Sequence, residues 1–157
     1  MKILVHLLAV IPVSVLAGGS NYGIAPGTLP TLVGKVSEWP VPTPRFARDP
    51  AIAPDGNVYI AVMSGNKVAR FDPKRGAFKE WDLPSGHRPH GLLVDRQGMV
   101  WANEINTDTV VRLDPATGKM RVVQLPSSNV GIRKMVVDAR GRLWYMGSHN
   151  GRLGLVE

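Results

Sequence analysis

Two side chains in this sequence could do chemistry: His90, in Arg88-Pro89-His90-Gly91-Leu92, and Glu104, three residues after Trp101. An imidazole titrates near neutral pH and serves as a general base or acid. A carboxylate offers the oxygen ligand that Mg²⁺ prefers, and Mg²⁺ tolerates few protein ligands because it keeps several waters. A histidine base beside a metal-side carboxylate is a workable pair for proton abstraction. Arg88, Asn103, Asn106 and His149 are the polar residues placed to hold a substrate around them. Plainer roles stay open. His90 is otherwise a loop imidazole bonded to solvent or backbone, Glu104 an exposed acid paired with Arg88 or Arg112, and His149 part of a Ser148-His149-Asn150-Gly151 turn. The chain has no cysteine, which excludes disulfides, thiolate nucleophiles and cysteine zinc sites.

What must position these groups is a repeat. Gly56, Gly98 and Gly141 lie 42 and 43 residues apart, and Tyr59, Trp101 and Trp144 follow at the same spacing. Asp72-Pro73 recurs as Asp114-Pro115, Gly76 as Gly118, and Leu83-Pro84 as Leu125-Pro126. Short β-branched and aromatic runs alternate with Asp-Gly, Asn and Pro-Gly turn signals, which is hairpin chemistry. Past residue 20 no window keeps a helical apolar period. Four antiparallel strands per repeat of this length make a β-propeller blade, so the fold class is all-β. Glu38-Trp39-Pro40-Val41-Pro42 precedes Glu80-Trp81-Asp82-Leu83-Pro84 by 42 residues and reads as a fourth strand without a blade. The module from Ile132 to Glu157 has room for three strands. The spacing predicts that these termini share one composite blade, giving three blades in all. Three are too few to close a ring. The chain is then half of a six-bladed homodimer, an internally shortened propeller, or a fragment.

Alternating strand direction puts the loops between blades and those between second and third strands on one face. That face collects His87, Arg88, His90, Asn103, Glu104, Asn106 and His149. Asp72, Asp114 and Asp138 read as turn formers. His90 has Ala51 and Arg133 in its slot elsewhere, and Glu104 has Val62 and Gly147. The blade itself therefore requires neither.

Residues 1–17 read as a signal peptide: Lys2, an apolar run to Leu16, and Val15-Leu16-Ala17 before Gly18. Residues 18–32 are a linker, and 33–157 the propeller domain. The expected location is periplasmic or secreted, with no membrane span after cleavage. The net charge of +7 is scattered without a long basic run, and export argues against nucleic acid as a partner.

At these residues the chain resembles the streptogramin lyase (virginiamycin B lyase) family. The resemblance runs through Arg88-Pro89-His90-Gly91-Leu92, Gly98, Trp101-Ala102-Asn103-Glu104, Thr109-Val110-Val111-Arg112-Leu113 and Leu125-Pro126. It repeats in Asp49-Pro50-Ala51-Ile52, Asp55-Gly56, Asn66-Lys67-Val68-Ala69-Arg70 and Glu80-Trp81-Asp82-Leu83-Pro84, and covers 33–157. It implies a carbon–oxygen lyase that opens a cyclic depsipeptide antibiotic by Mg²⁺-dependent elimination. His90 would take the proton from the α-carbon and Glu104 would hold the metal. Arg88 stands where the family has glutamate, and the family's other histidine-bearing blades have no counterpart here. The competing readings are a non-catalytic propeller binding a peptide, glycan or protein, a degenerate inactive propeller, and, more weakly, a gluconolactonase-type propeller.

Overall fold

The structure is a computed structural model describing residues 34–84 and 86–157. The signal peptide and the linker expected from the sequence, residues 1–32, fall outside these residues. Residues 34–37 are exposed coil, and Glu38–Glu157 form one compact unit.

The unit contains eleven strands and, among the described residues, no α-helix. The first blade is β1 (Ala47–Ile52), β2 (Val58–Val62), β3 (Lys67–Asp72) and β4 (Ala77–Asp82). The second is β5 (Pro89–Val94), β6 (Val100–Glu104), β7 (Thr109–Leu113) and β8 (Met120–Gln124). The third is β9 (Ile132–Val137), β10 (Leu143–Gly147) and β11 (Leu153–Val156). Each sheet is an antiparallel meander in sequence order. Among the described residues no helix is long and apolar enough to cross a membrane.

Local chemistry explains the meanders. The turn between first and second strands ends each time on a glycine at φ near +80°, Gly56, Gly98 and Gly141, where a side chain would be strained. The turn aspartates hold the backbone that follows them. Asp72 Oδ1 accepts from the Lys74 amide at 2.9 Å, Asp114 Oδ1 from Ala116 at 2.9 Å, and Asp138 Oδ1 from Arg140 at 2.9 Å. Asp138 Oδ2 also accepts from the Trp144 indole at 3.0 Å, and Asp95 does the same for Trp101 at 2.9 Å.

The core lies between sheets. Tyr59, Val68 and Trp81 of the first blade pack on Val100, Ala102, Val111 and Leu113 of the second. Val110, Leu125 and Trp101 of the second pack on Ile132, Leu143 and Tyr145 of the third. Adjacent residues of a strand face opposite sides of its sheet, so Val110 and Val111 serve the two interfaces separately. Removing such a side chain, as in Leu113→Ala, costs about 2–5 kcal/mol.

Two expectations are corrected. Residues 38–42 form no strand, and the third sheet ends at β11 with no partner from them. Trp39 instead packs at a tilt against Phe71 of the first blade, with ring centroids 4.8 Å apart, and Thr43 bonds twice to Glu80 at 3.0 and 2.7 Å. Pro40 and Pro42 lack the amide protons a ladder needs, whereas the apolar wall at Phe71 rewards burial of the indole. Second, His90 corresponds to Arg48, not Ala51. Pairing matches Pro89 to Glu104, Ala47 to Val62 and Ile132 to Gly147, so Arg48, His90 and Arg133 share one position.

Candidate functional site at the channel mouth

β5 contacts both β1 and β9, which makes these three the inner strands. Each loses regular register at the same place: between Ala47 and Pro50, between Pro89 and Leu92, and around Arg133. Such bulges re-aim side chains and concentrate beside functional sites. Here they present Arg48, His90 and Arg133, and next to them Asp49, Gly91 and Lys134.

The result is a cleft of about 270 Å³ lined by Asp49, Gly91, Leu92, Asn103, Arg133 and Lys134 among others. Gly91 is its floor. A Cβ there would lie 3.2 Å from Asp49 Oδ2, 3.4 Å from Asn103 Oδ1 and 3.6 Å from the Arg133 carbonyl, so a side chain would crowd three elements. Across this floor Lys134 Nζ reaches Asp49 Oδ2 at 3.8 Å, linking the third blade to the first. Arg48 Nε donates to the His90 carbonyl at 3.1 Å. The His90 ring is half-buried, and its Nδ1 has no hydrogen-bond partner. Burial, followed by the Arg48 and Arg133 charges, holds its pKa below the ordinary imidazole value. His90 is therefore neutral at pH 7, and its buried Nδ1 is left unpartnered.

Glu104 lies elsewhere. It ends β6 fully buried, and neither carboxyl oxygen has a hydrogen-bond partner among the described residues. Burial pushes its pKa to about 9, with the Arg88 amide offsetting only part of the rise. At neutral pH it is a protonated acid. Its neighbour is His87, whose Nδ1 lies 3.6 Å from Glu104 Oε1 and 3.2 Å from Thr109 Oγ1. Burial lowers the His87 pKa in turn. The charges acting on His90 are Arg48, Arg133, Asp49 and Lys134, and Glu104 is not among them. The structure thus brings Glu104 together with His87, and His90 together with three cations.

The other expected site residues divide similarly. Asn103 is buried, accepting from the Gly91 amide and donating to the Ile132 carbonyl at 2.8 Å, so both ends of its amide tie β5 to β9. Arg88 and Asn106 are exposed on the same face. His149 is exposed and lies over Gly131, which has φ +57°. That the loops share a face is visible at Asp108. Its carboxylate accepts from the Asn129 and Val130 amides at 2.8 and 2.7 Å, joining the β6–β7 turn to the β8–β9 link. Arg48 and His87 fall on the face expected from the sequence, which assigned neither of them a role in the site. Arg48 had a signal, since it precedes His90 by one repeat of 42. The pairing of His87 with Glu104 had none, because only folding brings the two together.

The described residues do not fit a resident Mg²⁺. Glu104 is a single carboxyl sealed in its neutral form, and no group of three acidic or histidine side chains converges among the described residues.

Sheets of this kind, radiating from shared inner strands, define a β-propeller. Solved structures of virginiamycin B lyase from Staphylococcus aureus are similar, with a TM-score of 0.69 at 18% identity over 79% of this chain. A streptogramin B lyase structure gives 0.68 at 18% identity. The extracellular domain of a hybrid two-component system from B. thetaiotaomicron gives 0.54 at 21% identity over 69% of this chain. The chain spans 45% of the length of the lyases. No family profile and no curated protein matches the sequence.

Proposed function

We propose that this chain is an exported propeller of the virginiamycin B lyase kind, that the channel mouth is its ligand site, and that His90 is the reactive imidazole. The observation that supports this reading is the neutral His90 imidazole, half-buried at the bulge of β5 immediately before Gly91, the floor of the cleft, with its buried Nδ1 left unpartnered. The ligand class is a cyclic ester or depsipeptide of the streptogramin B type. His90 would take the proton from the carbon alpha to the carbonyl. The C–H electron pair then forms a carbon–carbon double bond as the C–O bond breaks and the carboxylate departs. Glu104, buried beside His87 and protonated, takes no part in this proton transfer. Incubation with a streptogramin B antibiotic, followed by mass spectrometry, tests the reading. Elimination yields a ring-opened isomer of unchanged mass, hydrolysis a product heavier by one water. His90→Ala should abolish opening while leaving the fold intact. Full opening by that variant would remove the mechanistic part.

A second reading, a propeller that binds without catalysis, is favoured by the sealed state of Glu104. Retained binding of the intact antibiotic, with no isomer formed by the wild-type chain, would select it.

A further inference from the structure

We propose that the channel mouth is an oxyanion receptor, in which Arg48, Arg133 and Lys134 surround a carboxylate or phosphate group held beside the His90 ring. One position per blade supplies Arg48, His90 and Arg133, and Lys134 follows directly. Neither Arg48 nor Arg133 is in an ion pair among the described residues, and Lys134 has only the long 3.8 Å contact to Asp49. One carboxylate, Asp49, thus lies with three cations around the His90 ring; Asp49, Arg133 and Lys134 line the cleft, whose floor, Gly91, has no side chain. Repeated like charge around a cleft raises the local potential and draws anions to it. Arginine and lysine bind oxyanions through charge-assisted hydrogen bonds. The Arg48 Nε bond to the His90 carbonyl fixes that guanidinium at the rim.

The inference deepens the proposed function, since an ester opened by elimination expels a carboxylate and this cluster would receive it. It does not depend on that reaction, because a simple anion tests it. The probe is inorganic phosphate, with acetate in parallel, titrated into the full chain at fixed ionic strength. The readout is the His90 ring proton by NMR. The expected result is a saturable shift, with His90 titrating at higher pH in the presence of the anion, because the anion offsets Arg48, Arg133 and Lys134 and joins Asp49. Arg133→Gln and Lys134→Gln should each weaken binding roughly tenfold, the loss of one charge-assisted contact. Arg121→Gln, an exposed charge on β8, should leave it unchanged. A shift that never saturates, or one that Arg121→Gln reduces equally, would overturn the proposal. Phosphate binding with no action on any cyclic ester would keep the receptor and discard the lyase.

Discussion

Burial of Glu104 makes the stability of this protein fall as pH rises. The ordinary carboxyl value of 4.5 applies to the unfolded chain, whereas the folded value is about 9. Between these, the unfolded chain gives up the proton and the folded chain keeps it. This contribution is therefore fully present below 4.5 and lost toward 9, by at most about 1.4 kcal/mol per pH unit. His87 acts in the opposite sense. Its pKa is lowered on folding, so its contribution is lost as pH falls below the ordinary imidazole value of 6.5. Glu104→Gln should flatten the decline above pH 6.5 in urea unfolding and raise stability at pH 8. An unchanged slope would mean the carboxyl is ionised in place. Asn103→Ala should cost about 2–4 kcal/mol in the same assay, because it leaves the Gly91 amide and Ile132 carbonyl buried without partners. Glu104 was legible in the sequence as a departure from the repeat, and Asn103 as a polar residue placed to hold a substrate. Their surroundings were not, because His87 meets Glu104 only through the β4–β5 link.

At the scale of elements, the strands and turns were readable because the alternation and the Asp-Gly signals repeat. The inner strands were the exception. β1 begins at Ala47, ahead of the Ala51-Ile52-Ala53 run that marks it in the sequence. Aligning Pro50 with Pro89 then places Ala51 opposite His90. The bulge breaks that alignment, and a bulge leaves no fixed signature in residue type. The loops are held by polar side chains in the left-handed region: Asn66 at φ +54° and Asp108 at φ +50°. Asn66 Nδ2 donates to the Leu83 and Pro84 carbonyls at 2.9 and 3.1 Å, as Asp108 accepts from the next link. Asp108→Ala should cost about 1–3 kcal/mol. It should also speed hydrogen exchange at the Asn129 and Val130 amides more than at β5. Uniform acceleration would show that the turn does not hold the link.

At the scale of the molecule, the interfaces between blades reuse the same repeat positions. Val68 and Val110 are fully buried against the following blade, whereas Leu153, at the same position of the third, is 68% exposed. Val136, Met146 and Leu155 extend that apolar face, beside Trp144. At the other end, Trp39 lies near Gly76 as Trp81 lies near Gly118, in the place of an outer strand from a preceding blade. We expect reversible self-association, read by light scattering as a mass that rises toward a dimer with concentration. Leu153→Glu should return it to monomer and reduce binding of a hydrophobic dye. A mass independent of concentration in both proteins would exclude the two-chain ring.

The repetition of donor and acceptor faces reaches back to the gene. Any in-frame gain or loss of a segment encoding 42 or 43 residues rejoins two faces that already fit. Unequal recombination can then change the number of blades without a compensating mutation. Residues that depart from the repeat, such as His90 and Glu104, are lost or kept whole with the segment that carries them.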